Sequence, residues 1–402
     1  MKKQVSLYIH IPYCLSKCDY CDFFSVVNDN ACTVKNCGTS VPSIPVPQQY
    51  IDSVCEEIKF RIKEYGCCEL KSVYVGGGTP SLLTPVQINQ LGNEIAKLDK
   101  SDNFEFTFEI NPDDVTLQLI DSLAAAGVNR LSCGIQSFSQ KVLENVNRRA
   151  NAVQVNNALK LLCSKWKKKL SIDLICGLPF ETEETMLEGL KKLCSLKIPH
   201  ISFYSLCVEE ETPLGNAIIN NKIKYDYDFS DDLWIKGRDF LLQNGYEQYE
   251  ISNFCLPGYE CIHNMTYWSH GDYIGVGSGA TGTVYEKNGN GLRWTNIKNI
   301  KNYIKFWKSG DKTLEIPQDV EKIGHQVSEF EYFMMGLRTK RGISTAEYKS
   351  IFGNDMPPEA QKVLEKWCSL GKCKSSTEPN GKRYCLNSEG MLFLNNLLEE
   401  LC

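Results

Sequence analysis

Short apolar runs alternate along the first half of the chain with longer stretches whose apolar residues recur every three or four positions. Runs rich in Val, Ile, Phe and Tyr favour β-strands, and the recurring stretches favour amphipathic helices. The pattern predicts strands at 5–12, 71–78, 104–111, 130–138, 170–178 and 200–208. It predicts helices at 50–65, 84–98, 116–126 and 182–196. The first half is therefore expected to be a series of strand–helix units.

A series of this kind predicts an α/β fold, because parallel strands need crossover connections that are usually helices and almost always right-handed. Six units are too few for a closed eight-fold TIM barrel. We therefore expect an open, partial (β/α)6 TIM-like barrel over residues 1–210. The stretch 28–49 is rich in Pro, contains Cys32 and Cys37, and interrupts the series. It is interpreted as a surface insertion.

The pattern changes after residue 210. Residues 211–320 are interpreted as an α+β extension, with strands predicted at 246–254 and 273–276. Glycines at 275, 277, 279 and 282 resemble a dinucleotide-binding turn only superficially, because no βαβ unit is predicted around them. Residues 321–402 contain predicted helices at 327–337 and 391–401 and a predicted strand at 383–386. This last part is expected to be a small helical or winged-helix-like end domain.

Charge and cysteine content limit the possible partners and compartments. The 402 residues include 44 Lys and Arg against 49 Asp and Glu, which argues against nucleic acid because no cationic excess is present to neutralise phosphates. The chain has 19 cysteines and begins without an apolar leader segment. It also has no run of about 18 apolar residues. We therefore expect no membrane span and a reducing compartment, the cytoplasm, with an organellar location left open.

Three cysteines carry the clearest chemical signal. Cys14, Cys18 and Cys21 follow the first predicted strand with the spacing C-x3-C-x2-C. One loop with this spacing can wrap a [4Fe-4S] cubane, and three thiolates on four irons leave one iron open for another ligand. A zinc site is the alternative interpretation. Three nearby side chains offer a fourth ligand for zinc: His10, Asp19 and Asp22.

Other candidate residues stand where predicted strands end. Gly78, Glu109, Gln136 and Asp173 each close a predicted strand, so they should share one rim of the barrel with the cysteine loop. Glycine lets a backbone approach a ligand closely, and a carboxylate suits ribose hydroxyls or an amino group. A tight turn and a loop-capping acid are the alternatives for Gly78 and Glu109.

Three further side chains are candidates for ligand contacts. Arg148 suits a two-pronged hydrogen bond to a carboxylate, although an Arg beside Arg149 is often surface charge. Asp173 lies in an apolar strand, where a buried acid needs a partner. Tyr20 can offer its ring face to an adenine.

These motifs resemble a known family. The cysteine loop resembles that of the radical S-adenosylmethionine (SAM) enzymes, and the segment Tyr8-Ile9-His10-Ile11-Pro12 resembles the oxygen-independent coproporphyrinogen III oxidase-like family. The match continues in order through 76–81, 108–112, 134–138, 173–179, 246–254 and 263–268. The resemblance implies a [4Fe-4S] cluster on the three cysteines and SAM as cofactor. It implies that SAM is bound by Tyr8, Tyr20, Gly78, Thr79, Pro80, Glu109, Gln136, Arg148 and Asp173.

The family has two branches, and the resemblance favours one of them. The oxidase branch, which decarboxylates coproporphyrinogen III oxidatively, carries a fourth cysteine where this chain has Phe23. The other branch comprises haem chaperones of the HemW type, marked by His-Asn-x-x-Tyr-Trp, which stands here at 263–268. It implies haem as cargo, with His263 as candidate axial ligand. Cys255 and Cys261 are alternative ligands, and the remaining histidines have weaker claims: His10, His200, His270 and His325.

The favoured branch also implies partners. These are haem-accepting proteins and an electron donor such as a flavodoxin- or ferredoxin-like protein. No catalytic residue is assigned, and the enzyme status stays open between the two branches. A structural zinc protein is the third hypothesis.

Overall fold

The computed structural model describes residues 3–27, 45–310 and 315–401. The strands and helices of the first half are, in chain order, β1 Lys3–Ile11, β2 Tyr13–Cys14, β3 Val26–Val27, α1 Gln48–Tyr65, β4 Cys68–Gly77, α2 Pro85–Ala96, β5 Lys100–Ile110, α3 Leu117–Ala125, β6 Arg130–Gln136, α4 Gln140–Asn145, α5 Ala152–Lys165, β7 Lys169–Cys176, α6 Glu183–Ser195 and β8 His200–Ser205. Cys32, Cys37 and most of the predicted insertion 28–49 lie outside the described residues. Gln48 and Gln49, the end of that predicted insertion, belong to α1.

The second half begins with two helices and continues with short strands. Its middle part contains α7 Pro213–Ile219, α8 Tyr227–Gln243, β9 Glu247–Gln248, β10 Asn253–Cys255, α9 Ile262–Trp268, β11 Tyr273–Val276, β12 Thr281–Tyr285, β13 Gly291–Asn296, α10 Ile300–Ser309 and β14 Gln318–Ile323. Its last part contains α11 His325–Gly336, β15 Ile343–Ser344, α12 Thr345–Phe352, α13 Pro358–Ser369, β16 Cys373–Glu378, β17 Gly381–Leu386, α14 Ser388–Leu392 and α15 Leu394–Leu401.

The main sheet has twelve strands in the order β14-β13-β12-β11-β1-β4-β5-β6-β7-β8-β10-β9. Its centre consists of the six predicted strands, which pair in parallel in chain order. Helices connect these strands, which confirms the predicted α/β fold with a partial TIM-like barrel. Alternate positions of the central strands are apolar and fully buried, as Leu7, Ile9, Val73 and Val75 show. The positions between them include buried polar residues such as Ser6 and Ser72.

Local hydrogen bonds explain where several of the helices begin. The Thr84 side chain caps α2 by accepting from the Gln87 amide, and the Gln87 side chain accepts in return from the Thr84 amide. The same reciprocal arrangement opens α5 and α6. Each capping pair satisfies amides that would otherwise lack partners in the first helical turn.

Antiparallel strands extend the sheet at both edges. β11 pairs in parallel with β1, and β12, β13 and β14 follow as antiparallel neighbours. The glycine-rich turn therefore joins β11 to β12 in a hairpin. At the other edge, the single strand predicted at 246–254 is wrong, because the chain turns back between β9 and β10.

The buried apolar residues form two main cores. The larger one extends from Val5 to Tyr303 and fills the barrel and its helices. The smaller one extends from Tyr332 to Leu398 and lies between α11–α15 and a three-stranded sheet with the order β15-β17-β16. The exact boundaries at 210 and 320 stay predictions. Among the described residues, no helix is both long enough and apolar enough to cross a membrane.

Candidate functional site

The main cavity lies at the carboxyl ends of the parallel strands and has a volume of about 320 Å³. This is the rim where α/β barrels bind their ligands. Eleven of the twelve residues predicted to hold the cluster or SAM line this cavity. They are Cys14, Cys18, Tyr20, Cys21, Gly78, Thr79, Pro80, Glu109, Gln136, Arg148 and Asp173.

Backbone hydrogen bonds shape the cysteine loop. β2 comes directly after β1 and places Cys14 at the end of that strand. The amide of Cys21 donates to the carbonyl of Cys18 at 3.1 Å, which closes a turn between these two residues. The amide of Leu214 donates to the carbonyl of Asp19 at 2.8 Å, so α7 packs against the outside of the loop. The loop is therefore anchored on both sides.

Donors contact two of the three sulfur atoms. The Thr79 hydroxyl donates to Cys14 Sγ, and Arg148 Nη1 donates to Cys18 Sγ, both at 3.5 Å. Burial raises the pKa of Cys21 to about 11, so a bound metal has to replace the proton of this thiol. Among the described residues, no three His, Cys, Asp or Glu side chains come close enough to hold a single metal ion.

Glycines at the end of β4 allow the loop to approach the sheet. A Cβ atom on Gly78 would lie 2.9 Å from Cys14 Sγ and 2.7 Å from the carbonyl oxygen of Tyr13. A Cβ atom on Gly76 would lie 3.0 Å from the carboxylate of Glu109. Both distances are too short for a side chain, so these glycines are required by close packing around the cavity.

Two carboxyl groups border the cavity without a basic side chain in direct contact. Glu109 accepts hydrogen bonds from the Tyr74 hydroxyl at 2.7 Å and from the Gly77 amide at 3.2 Å. Burial raises the pKa of Glu109 to about 7. Asp173 accepts from the Ser132 hydroxyl at 2.9 Å, and burial raises its pKa as well. Carboxyl groups in this setting favour a cationic ligand, and SAM is a cation, so the residues present fit this cofactor.

Gln136 has a strained backbone, and Arg148 has a hydrogen-bond donor without a partner among the described residues. Both features are typical of ligand-binding residues. Gln136 has a φ of 63°, which is uncommon for a residue other than glycine, and it follows a bulge in β6. Strain of this kind is concentrated at functional sites. Arg148 donates to Asn111 Oδ1 at 2.9 Å and to the carbonyl of Gly134, but its buried Nε has no partner among the described residues.

Tyr20 and Tyr8 lie in different places. Tyr20 lines the main cavity and packs against an apolar cluster that contains Val142, Val146 and Leu178. Tyr8 is the one predicted SAM-binding residue that does not line the main cavity. It lines a second cavity of about 410 Å³, which shares Asp22, Phe23, Gly77 and Glu109 with the first. The second cavity is also lined by Phe24, Tyr267, Tyr273 and Lys298.

His10 already has partners for both ring nitrogens. Its Nε2 lies 2.9 Å from the carbonyl oxygen of Phe24, so Nε2 carries the proton and donates it. Its Nδ1 therefore accepts from the Tyr8 hydroxyl at 2.9 Å. As a fourth zinc ligand, His10 would first have to lose one of these hydrogen bonds.

His263 lies inside the barrel on α9. Its side chain is buried, and it lines neither cavity. Nδ1 is 2.8 Å from Ser72 Oγ and Nε2 is 2.8 Å from the Tyr267 hydroxyl. Burial lowers the pKa of His263 to about 3, so its ring is neutral. Haem ligation by His263 stays a prediction, and it requires that Tyr267 release Nε2.

The alternative haem ligands are also buried or hydrogen-bonded to other side chains. Cys255 and Cys261 are buried, and Cys261 donates to Glu105 Oε1 at 3.3 Å. His200 Nε2 is hydrogen-bonded to the Tyr249 hydroxyl, and His270 Nε2 is hydrogen-bonded to Ser328 Oγ.

The main cavity is also lined by residues that were not among the predicted ones, and two of them carry reactive groups. Cys207 and Glu209 line it and contact each other, with the thiol donating to the carboxylate at 2.8 Å. Both follow β8, the last of the six central parallel strands. The strand-end argument that indicated Asp173 applies to them equally and would have found them.

Comparisons with known proteins show which family the chain is similar to. A family model described as the Radical SAM superfamily matches residues 8–193. The heme chaperone HemW of Lactococcus lactis is 34% identical to this chain over 355 residues, which are 88% of this chain and 86% of that protein. The heme chaperone HemW of Escherichia coli is 32% identical over 399 residues, covering 98% of this chain and 97% of that protein.

Among solved structures, coproporphyrinogen III oxidase (HemN) from Escherichia coli, a radical SAM enzyme, is similar with a TM-score of 0.76. The likeness covers 99% of this chain and 90% of that chain at 20% sequence identity. At this identity the likeness shows a shared fold.

Proposed function

Because the chain belongs to the HemW family of the radical SAM superfamily, we propose that it binds a [4Fe-4S] cluster and SAM in the main cavity and carries haem to acceptor proteins. In this proposal Cys14, Cys18 and Cys21 ligate three irons, and the fourth iron is left for SAM. The observation that carries the proposal is the meeting of these cysteines and eight predicted SAM-binding residues around one cavity.

When bound, the cluster supplies the electron for reductive cleavage of the SAM sulfonium bond. The side chains of the cavity bind and orient SAM. Glu109 pairs with its positive charge, and the unpartnered Nε of Arg148 donates a hydrogen bond to its carboxylate. Tyr20 covers the site from the apolar side and keeps water out. Gly78 leaves room for the ligand beside Cys14.

The haem part of the proposal is supported by family membership and by the motif at 263–268. A neutral imidazole is a suitable axial ligand for haem iron, and His263 is the candidate. Haem-accepting proteins and a flavodoxin- or ferredoxin-like electron donor are the proposed partners. The cytoplasm is the proposed location, since a reducing compartment suits 19 cysteines.

Titration of the cluster-reconstituted protein with haemin under anaerobic conditions tests the haem proposal. We expect a Soret band with the signature of imidazole ligation, and its loss in His263→Gln. His325→Gln is the matched control, because His325 is an exposed histidine on α11, and it should leave the band unchanged. A band that survives in His263→Gln would remove His263 from the proposal.

The alternative function is oxidative decarboxylation of coproporphyrinogen III. Phe23 replaces the additional cysteine of that branch, and its side chain is 62% exposed between the two cavities. Anaerobic incubation with coproporphyrinogen III, SAM and a reductant decides between the functions. Formation of protoporphyrinogen IX would contradict the chaperone proposal.

A further inference from the structure

Four buried polar side chains form a chain of hydrogen bonds that ends on His263. Ser6 of β1 and Ser72 of β4 are paired across the two strands, with 2.7 Å between their hydroxyl oxygens. Ser6 Oγ lies 2.7 Å from Thr266 Oγ1, and Ser72 Oγ lies 2.8 Å from His263 Nδ1. All four side chains are at most 3% exposed. We call Ser72, Ser6 and Thr266 the hydroxyl relay.

The direction of every hydrogen bond in the relay follows from its last member. Thr266 donates to the carbonyl oxygen of Ile262 at 3.2 Å, because a carbonyl can only accept. Each hydroxyl has one proton, so Ser6 must donate to Thr266 and Ser72 must donate to Ser6. The proton between Ser72 and His263 therefore belongs to the imidazole. His263 carries its proton on Nδ1, and its Nε2 has a free lone pair.

That lone pair accepts a hydrogen bond from Tyr267. The Tyr267 hydroxyl is 2.8 Å from Nε2, one helical turn after His263 on α9. Tyr267 lines the second cavity, whereas His263 does not. The Tyr267 hydroxyl is therefore hydrogen-bonded to Nε2, the atom that would bind the haem iron. The same side chain borders the second cavity, from which haem would enter.

Aromatic rings and an ammonium group line the second cavity, and the carboxyl groups of Asp22 and Glu109 also belong to its lining, in the part that it shares with the main cavity. Phe23, Phe24, Tyr267 and Tyr273 contribute aromatic walls, and Lys298 contributes an ammonium group. Aromatic faces pack against a planar π-system, and an ammonium pairs with a carboxylate.

We propose that the hydroxyl relay holds His263 in the tautomer that ligates through Nε2, and that Tyr267 closes this atom until haem enters from the second cavity. The inference rests on the proposed haem function. On binding, the hydrogen bond from Tyr267 to Nε2 breaks and a dative bond from Nε2 to ferric iron forms, with no electron or proton transferred. Metal-ligating histidines commonly donate their other ring N–H to a neighbouring oxygen, which fixes tautomer and orientation. The relay acts through His263, so its members are positioning residues.

Nitrogen NMR of the haem-free protein tests the tautomer directly. The sequence has five histidines, so ¹⁵N-histidine labelling gives a small set of signals, and His263→Gln identifies those of His263. We expect a protonated Nδ1 and an unprotonated Nε2. In Ser72→Ala and Ser6→Ala the fixed tautomer should be lost, while Ser53→Ala, a buried serine that donates to a carbonyl of its own helix α1, should keep it. A protonated Nε2 in the wild type would overturn the relay.

Haemin binding kinetics test the role of Tyr267. Loss of its hydrogen bond in Tyr267→Phe should increase the association rate roughly tenfold and leave the imidazole-type spectrum in place. Tyr273→Phe is the matched control, because Tyr273 lines the same cavity and its hydroxyl accepts from Thr283 instead.

Two results would overturn the closing role. One is an unchanged rate in Tyr267→Phe. The other is loss of the bound spectrum in that variant, which would make Tyr267 itself the ligand. If neither the wild type nor Tyr267→Phe binds haemin, the closing role fails together with the haem proposal. The NMR experiment still decides on the relay in that case, so the two failures are distinguishable.

Discussion

Glu109 is a carboxyl group whose surroundings favour its neutral form in the absence of a ligand. It has a phenol and an amide as donors, and burial raises its pKa to about 7. A cation in the main cavity would reverse this preference, because opposite charge favours the ionised carboxylate. Glu109 therefore attracts SAM mainly through its negative charge, so its contribution to SAM affinity should depend on pH.

SAM affinity should rise as the pH increases through about 7, because Glu109 ionises over this range and its carboxylate pairs with the cation. Glu109→Gln should bind SAM about 10- to 100-fold more weakly at pH about 8, and its affinity should vary less with pH. Equilibrium dialysis of cluster-reconstituted protein measures both quantities. Glu188→Gln, on the exposed surface of α6, is the control. Equal pH profiles for the wild type and Glu109→Gln would remove Glu109 from SAM binding.

The position of α9 depends on one buried carboxylate. Glu105 Oε1 accepts from the amide of Ile262 at 2.8 Å, at the first turn of α9. Its other oxygen accepts from Arg130 at 2.9 Å and from Lys169 at 3.2 Å. Burial alone would raise the pKa of Glu105, but Arg130 and Lys169 hold it below the usual range. This group of charges fixes the helix that carries His263.

Arg130→Met should destabilise the protein by about 3–5 kcal/mol, because it leaves the Glu105 charge without its main partner in the interior. The double variant Arg130→Met with Glu105→Gln should lose less than the sum of the two single variants. Urea unfolding monitored by circular dichroism measures these free energies. Additive losses would show that the two side chains act independently.

The sequence pattern predicted the elements whose apolar residues alternate or recur clearly. The six parallel strands and four of the helices between them, α1, α2, α3 and α6, follow from this pattern, and the strand ends alone indicate Gly78, Glu109, Gln136 and Asp173. The prediction failed where tertiary pairing decides the conformation. Residues 246–254 are apolar enough for one strand, but β10 pairs with β8 and β9 folds back onto β10.

Helix α8 is not among the predicted helices, and its composition gives a second reason why the sequence pattern misses some elements. Its buried side includes Ser230, Leu233, Gly237 and Arg238, so small and polar residues interrupt the apolar stripe. Gly237 is needed there because a Cβ atom would lie 2.4 Å from the ring of Phe203. Residues selected for close packing do not produce a hydrophobic pattern. The hydroxyl relay is likewise a property of three dimensions, since Ser6, Ser72 and Thr266 are far apart in sequence.

At the scale of the whole molecule, the two cavities are neighbours. Gly77 and Glu109 belong to the lining of both cavities, so the proposed SAM site and the proposed haem entrance share a wall. The small C-terminal core joins the barrel where the amide of Lys340 donates to the carbonyl of Tyr249 at 2.9 Å. Haem and cluster would therefore lie in adjacent parts of one barrel.

The cluster is the central claim, and metal analysis combined with EPR tests it most directly. Anaerobically reconstituted protein should contain about four irons and four sulfides per chain. The EPR spectrum of the reduced protein should change when SAM is added. Cys14→Ala, Cys18→Ala and Cys21→Ala should each lose this signal, and Cys133→Ala, a buried cysteine of β6, should keep it. Zinc in place of iron, or a spectrum that SAM leaves unchanged, would contradict the account.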